Sequence, residues 1–166
     1  MKAAFLDRDG VINIDYGYVV KKEEFKFKEG IFELLKLLQE IGFTLFIVTN
    51  QSGIARGYYT KEQFFKLMDW MIKEFKKREI IIKDYEFCPH HPNFTIECNC
   101  RKPKPGMILN LAKKYNISLE DSILIGDKDS DIKAALNAKI GKSFKVNDSL
   151  FDIIFQINNL KAKNEI

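Results

Sequence analysis

The strongest constraint on this chain is the alternation of short, unbroken apolar runs with segments of helical periodicity. One apolar run covers 3–6, and a second run, rich in β-favouring residues, covers 43–48. Between them, Ile31, Leu34, Leu35 and Leu38 recur at the spacing of an amphipathic helix. Strands that are buried on both faces form continuous apolar runs, as in parallel sheets covered by helices. The sequence therefore predicts an α/β fold: a Rossmann-like parallel sheet with helices on both faces.

The remaining elements continue this alternation. Thr60 is predicted to cap a long helix that ends near Arg78, with helically spaced apolar residues from Phe64 to Phe75. The pattern also predicts strands at 84–88, 122–125 and 143–146, and helices at 31–41, 106–115, 129–137 and 149–160. The stretch 89–105 has no periodicity. With no linker or repeat, we expect residues 1–166 to form one domain without a separate cap domain.

Composition excludes several classes of protein. The chain has 166 residues, of which 46% are hydrophobic and 30% charged, as in an ordinary globular domain. No apolar run approaches the ~20 residues of a membrane span, and an acid already at position 7 does not fit a signal peptide. We therefore expect a cytoplasmic protein that acts without a membrane.

The net charge of +4 leaves the kind of anionic partner open. Of the 27 basic residues, 23 are lysines, and they are spread along the chain. Only four are arginines, and most of these fall within the motifs described below. A small anionic ligand fits this distribution better than a nucleic acid does. We expect a monomer that acts on a small molecule.

Polar motifs follow three of the predicted strands. They are Asp7-Arg8-Asp9-Gly10, Thr49-Asn50-Gln51-Ser52-Gly53 and Gly126-Asp127-Lys128-Asp129-Ser130-Asp131. Ligands of open parallel sheets bind beyond the carboxyl ends of the strands. Carboxylates that converge there repel one another unless a cation lies between them, and hard oxygen ligands suit Mg²⁺. These motifs predict a magnesium site formed by Asp7, Asp9 and Asp127.

The same residues fit phosphoryl transfer. A carboxylate can attack phosphorus, and a second carboxyl group can protonate the leaving alcohol and then deprotonate water. The hydroxyl and backbone N–H groups at Thr49-Asn50 can hold phosphoryl oxygens, and a lysine can neutralise their charge. Two lysines on the irregular stretch, Lys102 and Lys104, are candidates for this role.

A second metal site is predicted near residues 88–100. All three cysteines of the chain lie there, together with its two histidines, as Cys88-x-His90-His91 and Cys98-x-Cys100. Three cysteines and one histidine are a common structural zinc set with no open position. His91 competes with His90 as the fourth ligand. This zinc would fold the loop and aim Arg101 and Lys102 inward.

Taken together, these motifs resemble the haloacid dehalogenase superfamily of phosphotransferases. The resemblance rests on Asp7-x-Asp9-Gly10, Thr49-Asn50, Lys102 and Gly126-Asp127-x-x-x-Asp131. It implies Asp7 as nucleophile and Asp9 as general acid/base, with Thr49 and Lys102 holding the phosphoryl group. It also implies Mg²⁺ bound by the Asp7 side chain, the Asp9 carbonyl and Asp127.

From about 5 to 141, the chain is similar to one family, the D-glycero-D-manno-heptose 1,7-bisphosphate 7-phosphatases. The distinctive segments are 5–13, 15–19, 49–57, 88–92 and 98–103. This resemblance favours His90 as zinc ligand and implies hydrolysis to heptose 1-phosphate, a precursor of ADP-heptose and lipopolysaccharide core. It implies substrate contacts from Asp15, Tyr16, Gly17, Tyr18, Asn50, Gln51, Ser52, Arg101 and Lys128.

Three other functions remain open from the sequence. Histidinol-phosphatases share the cysteine-rich loop, although we expect Asp where this chain has Ser52. Polynucleotide 3′-phosphatases share the Thr49-Asn50-Gln51-x-Gly53-Ile54 motif, although they require a basic groove. A zinc-binding module without catalysis is the third function, but Asp7 and Asp9 argue against it.

Overall fold

A five-stranded, all-parallel sheet organises the chain in the computed structural model, which describes residues 1–166. The strand order is β3-β2-β1-β4-β5, so the first strand lies at the centre. The strands are β1 (Ala3–Leu6), β2 (Thr44–Asn50), β3 (Ile82–Cys88), β4 (Ile123–Gly126) and β5 (Lys142–Lys145). The helices are α1 (Ile31–Glu40), α2 (Lys61–Lys76), α3 (Gly106–Tyr115), α4 (Asp129–Asn137) and α5 (Leu150–Ala162), with a short 3₁₀ helix at Lys22–Glu24.

The sheet buries two separate apolar cores because successive side chains of a strand point to opposite faces. Ala4 and Leu6 of β1 pack in the core formed with α1, α2 and α5. Ala3 and Phe5 pack in the other core, with α3 and α4. Helices therefore cover both faces, as the continuous apolar runs predicted.

The predicted fold class is confirmed, whereas some strand boundaries differ from the prediction. β2 continues to Asn50 because Thr49 and Asn50 still pair with β3. β3 begins at Ile82, two residues earlier than expected, because the edge position of this strand tolerates the exposed Lys83. Between β1 and α1 the chain forms only loops, isolated bridges and the 3₁₀ helix, so no cap domain is inserted there.

The helices are too short or too polar for a hydrophobic bilayer: none could span one.

The start of α2 carries a reciprocal pair of capping hydrogen bonds. The Thr60 hydroxyl accepts from the backbone N–H of Gln63 at 3.1 Å. The Gln63 side-chain oxygen in turn accepts from the backbone N–H of Thr60 at 2.8 Å. Two N–H groups that the helix leaves without partners are thereby satisfied. The capping residue predicted from the sequence is confirmed.

We predict that Thr60→Ala lowers the free energy of unfolding by about 1 kcal/mol, since loss of a threonine cap typically costs ~0.5–2 kcal/mol. Urea unfolding followed by circular dichroism measures this change. The neighbouring Lys61→Ala is the control, because Lys61 is exposed and its side chain makes no capping bond. Equal stability of Thr60→Ala and wild type would contradict the prediction.

Candidate active site

Three acidic side chains meet beyond the carboxyl ends of β1, the central strand, and its neighbour β4. Asp7 directly follows β1, and its backbone N–H donates to Ile125 O on β4 at 3.1 Å. Asp127 directly follows β4, and Asp131 lies one turn further along, in α4. Carboxylate oxygens of Asp7, Asp127 and Asp131 lie within 4.8 Å of one another. Asp7 and Asp127 therefore converge at this edge of the sheet, as expected, and Asp131 is the third carboxylate of the group.

Lys102 supplies the buried positive charge of this group. Its Nζ lies 3.0 Å from Asp7 Oδ1 and 2.6 Å from Asp131 Oδ1, and it donates to Val48 O at 2.9 Å. The residue is only 4% exposed. Lys104, the other candidate, instead binds Glu97 and Cys98 O near the surface. The structure thus brings Lys102, and not Lys104, to the carboxylates.

Asn50 ties the lysine-bearing loop to the end of β2. Its Oδ1 accepts from the backbone N–H of Lys102 at 3.0 Å, and its Nδ2 donates to Lys102 O at 3.4 Å. Both the oxygen and the nitrogen of the Asn50 amide are therefore hydrogen-bonded to the backbone of Lys102. Asn50 lines the cavity as expected, and it also holds Lys102 in place.

The electrostatics of the acidic group favour a bound cation. Burial raises the pKa of Asp7 well above its usual value, and Asp131, Asp127 and Asp9 raise it further against the opposing effect of Lys102. Burial and the neighbouring Asp131 also raise the pKa of Asp127. Oδ1 of Asp127 is buried and has no hydrogen-bond partner. An unpartnered carboxylate oxygen beside a second carboxylate suits Mg²⁺, which prefers oxygen ligands.

Two glycines permit this close approach. Gly10 has a φ of +88°, and a Cβ built on it would lie 2.1 Å from Asp127 Oδ2. A Cβ on Gly126 would lie 2.2 Å from Asp131 Cβ. Any larger residue at either position would therefore displace a carboxylate of the group, which explains the glycines in both acidic motifs.

Asp131 is a member of the acidic group for which the sequence predicted no role. Its Oδ2 accepts from the backbone N–H groups of Asp127 and Lys128 at 3.1 and 3.0 Å, while its Oδ1 pairs with Lys102. Asp131 therefore fixes both the Asp127 turn and the lysine. The sequence feature that could have indicated this role is the position of Asp131 at the end of the Gly126-Asp127-x-x-x-Asp131 motif.

The Asp9 carboxylate points to a different set of partners. Oδ1 accepts from Arg8 Nη2 at 2.8 Å and from Asn13 Nδ2 at 2.9 Å. Oδ2 accepts from Gln51 Nε2 at 3.0 Å. The side chain of Asp9 is thereby held apart from the group of three carboxylates, in agreement with the expectation that Asp9 does not bind the metal through its carboxylate.

A cavity of about 600 Å³ opens beside these groups. Most of the expected site residues line it: Asp7, Asp9, Asp15, Gly17, Tyr18, Asn50, Gln51, Ser52, Arg101, Lys102 and Lys128. Three do not: Thr49 is fully buried, Tyr16 is 61% exposed, and Asp127 belongs to the acidic group without lining the cavity. Arg56 and Tyr59 also line the cavity and were not assigned, although Arg56 lies in the recognised motif 49–57.

Positive side chains surround the cavity. Arg56, Arg101 and Lys128 line it together with the buried Lys102. Arg101 Nη1 donates to His90 O at 3.3 Å, which attaches this arginine to the cysteine-rich loop. Lys128 Nζ lies 3.9 Å from Asp15 Oδ2, at the exposed side of the cavity. A ligand with more than one anionic group would find partners both deep in the cavity and at its rim.

The four expected zinc ligands form a second cluster. Cys88 Sγ lies 3.6 Å from Cys98 Sγ and 3.7 Å from His90 Nδ1, and His90 Nδ1 lies 3.3 Å from Cys100 Sγ. Ligands about 2.3 Å from a tetrahedral centre lie roughly 3.7 Å apart, so the set fits zinc. His91 is turned away, with its Nδ1 accepting from Asn93 N–H.

Comparisons with known proteins agree with this geometry. Residues 2–139 match the haloacid dehalogenase-like hydrolase family. A D-glycero-α-D-manno-heptose-1,7-bisphosphate 7-phosphatase from Campylobacter jejuni is 51% identical over 162 residues, which are 96% of this chain and 92% of the relative. A β-anomer 7-phosphatase from Helicobacter pylori is 52% identical over 84% of this chain and 80% of the relative.

A solved structure is similar over most of its length. It is the D,D-heptose 1,7-bisphosphate phosphatase from B. bronchiseptica, complexed with magnesium and phosphate. It has a TM-score of 0.78 and 33% sequence identity, covering 86% of this chain and 79% of that one. The chain therefore belongs to the haloacid dehalogenase-like hydrolases and, within them, to the D-glycero-D-manno-heptose 1,7-bisphosphate 7-phosphatase family.

Proposed function

We propose that this protein is a Mg²⁺-dependent phosphatase that removes the 7-phosphate of D-glycero-D-manno-heptose 1,7-bisphosphate. The observation that carries the proposal is Asp7 paired with buried Lys102 at a cavity lined by further cations. The named activities of the relatives support this substrate over histidinol phosphate or a polynucleotide 3′-phosphate. The product, heptose 1-phosphate, is the form that nucleotide activation on the way to ADP-heptose requires.

Asp7 is the proposed nucleophile. Its Oδ1 accepts from the Arg8 backbone N–H at 2.9 Å and from Lys102 at 3.0 Å, so Oδ2 remains to attack phosphorus. The new O–P bond forms an aspartyl-phosphate as the bond between phosphorus and the sugar oxygen breaks. Lys102 lies beside the transferred group, and the Thr49 hydroxyl is proposed to donate to one of its oxygens.

Asp9 is the proposed proton carrier. It gives a proton to the departing sugar oxygen, and it then takes a proton from the water that attacks the aspartyl-phosphate. That second step releases inorganic phosphate and regenerates Asp7. When Mg²⁺ is bound, by the Asp7 carboxylate, the Asp9 carbonyl and Asp127, it neutralises negative charge on the transferring phosphoryl group.

We predict that Asp7→Asn abolishes phosphate release while leaving the fold intact. The amide cannot form an acyl-phosphate, and it removes one negative charge from the group of three carboxylates, which lowers their repulsion. Lys102 keeps its ion pair with Asp131. Phosphate release with Mg²⁺ and a thermal melt measure the two effects. A folded Asp7→Asn protein with wild-type turnover would disprove the role of Asp7 as nucleophile.

The orientation of the substrate follows from where the cations lie. We place the 7-phosphate beside Asp7 and Lys102, and the 1-phosphate outward, against Arg101, Lys128 and Ser52. All these side chains line the one cavity. Binding of the non-reacting phosphate helps to orient the reacting one, so monophosphates should lose rate as well as affinity. We propose that the partner is a small molecule and that a monomer is active.

We predict that Arg101→Ala lowers kcat/KM for the bisphosphate at least tenfold more than for p-nitrophenyl phosphate. A guanidinium donates two parallel hydrogen bonds to phosphate, and only the bisphosphate places a phosphate there. Arg78→Ala is the control, since Arg78 lies at the surface beside Glu74, away from the cavity. Phosphorus NMR of the product identifies the remaining phosphate. A surviving primary phosphate with a free anomeric hydroxyl would contradict this orientation.

We also propose a structural zinc ion held by Cys88, His90, Cys98 and Cys100. In this loop, the Arg101 guanidinium donates to the backbone carbonyl of His90, and Lys102 directly follows Arg101 in the sequence. The zinc would therefore fix two cavity residues without touching the substrate. Reduced thiols suit a reducing compartment, and we place the protein in the cytoplasm.

We predict one zinc per chain, bound independently of Mg²⁺. Cys98→Ser should lower both the melting temperature and the activity, because part of the binding free energy of a structural zinc stabilises the fold. Cys98 is the informative ligand, since it lies 3.6 Å from buried Cys88 and its loop carries Lys102. Elemental analysis of protein purified without chelator counts the metal. Zinc-free protein with full activity and stability would contradict the proposal.

A further inference from the structure

Gln51 lies between two groups of the proposed reaction. Its Nε2 donates to Asp9 Oδ2 at 3.0 Å and to Thr49 Oγ1 at 2.9 Å. The residue is only 3% exposed. Both hydrogens of the side-chain amide are therefore used within the protein. Although the resemblance implied a substrate contact for Gln51, the amide nitrogen has no hydrogen left to give to a ligand.

Tyr59 fixes the orientation of that amide. Its hydroxyl donates to Gln51 Oε1, and the side chain is nearly fully buried. Burial raises the pKa of Tyr59 to about 12, and Asp9 contributes to the rise while Arg8 opposes it, so the hydroxyl keeps its proton. If the amide turned over, its oxygen would face the Asp9 carboxylate, and two acceptors would repel each other.

The loop that carries both residues is built around the tyrosine ring. A Cβ on Gly53 would lie 2.2 Å from a ring carbon of Tyr59, so only glycine leaves room for the ring. At the start of the loop, the backbone N–H of Gln51 donates to Cys88 O at 2.8 Å. The glycine of this motif is therefore explained by the position of the Tyr59 ring.

The other oxygen of Asp9 is held from the opposite side. Oδ1 accepts from Arg8 Nη2 and from Asn13 Nδ2, at 2.8 and 2.9 Å. Arg8 is fully buried, with Phe25 and Phe64 beside its guanidinium at 6.0 and 5.9 Å. With two strong donors on Oδ1, the oxygen with capacity for a transferable proton is Oδ2, which only Gln51 contacts.

We propose that Tyr59 and Gln51 are positioning residues that aim Oδ2 of Asp9 at the oxygen of the leaving group. Tyr59 orients the Gln51 amide, and Gln51 holds both the proton carrier Asp9 and Thr49. This inference rests on the proposed function, in which Asp9 transfers the proton. Its consequence is specific: loss of either side chain impairs proton transfer more than phosphoryl binding.

Leaving groups that differ in their need for a proton test this proposal. Phenyl phosphate and p-nitrophenyl phosphate have nearly the same shape, but p-nitrophenolate departs without protonation. General acid catalysis contributes ~10²–10⁴-fold when the leaving group needs a proton. We expect Gln51→Met to lower kcat/KM for phenyl phosphate about tenfold more than for p-nitrophenyl phosphate. Tyr59→Phe should change the ratio in the same direction, by about threefold. A binding role for Gln51 would lower both values equally.

Tyr115→Phe is the matched control. It also removes one tyrosine hydroxyl, which donates to Asp84 Oδ2 at 2.6 Å, away from the cavity. Its ratio of the two kcat/KM values should equal that of wild type. If Gln51→Met fails to fold, as judged by circular dichroism, Tyr59→Phe decides the question. Unchanged ratios in the folded variants would overturn the positioning role. Failure of the wild type to hydrolyse heptose bisphosphate would instead overturn the proposed function. The ratio of kcat/KM for the two aryl phosphates would still test the positioning role.

Discussion

The ion pairs of Lys102 with Asp7 and Asp131 are the interaction on which the rest of the site depends. All three side chains are buried at the edge of the sheet, with separations of 3.0 and 2.6 Å. Loss of Lys102 would leave both carboxylates desolvated without a partner, and removal of one partner from a buried ion pair typically costs ~3–5 kcal/mol. The Lys102 side chain must therefore be held at one position, although the loop that carries it has almost no regular structure. Asn50, through two bonds to the Lys102 backbone, supplies part of the necessary restraint.

Charge balance at the same point favours the binding of a divalent cation. When ionised, three carboxylates beside one ammonium group leave two negative charges without a counter-ion. Burial raises the pKa values of Asp7 and Asp127, and the neighbouring carboxylates raise them further. A divalent cation would neutralise both negative charges and would give Asp127 Oδ1, which has no hydrogen-bond partner, a positive ion to bind. Carboxylate oxygens grouped in this way are the ligands that a small, hard cation such as Mg²⁺ prefers.

Much of this architecture could be predicted from the sequence because its causes are local. Apolar runs define the strands, Thr60 caps α2, and the acidic motifs follow β1 and β4 directly. Asp131 and Tyr59 were harder to assign, because their roles depend on which side chains meet across several loops. Asp9 shows the limit most clearly. It lines the same cavity as Asp7, but its carboxylate does not join the group of three. Bonds from Arg8, Asn13 and Gln51 hold it, and the sequence alone does not show these contacts.

Without a cap domain, contacts between loops must keep the cavity in shape. The guanidinium of Arg56, on the loop after β2, lies 5.0 Å from the ring of Phe94 and 5.8 Å from that of Tyr18. Tyr18 belongs to the loop after β1, and Phe94 to the cysteine-rich loop. One cation thus bridges three loops around the cavity that it lines. A zinc ion that orders the cysteine-rich loop would therefore affect the opposite wall through Arg56, as well as Arg101 and Lys102 directly.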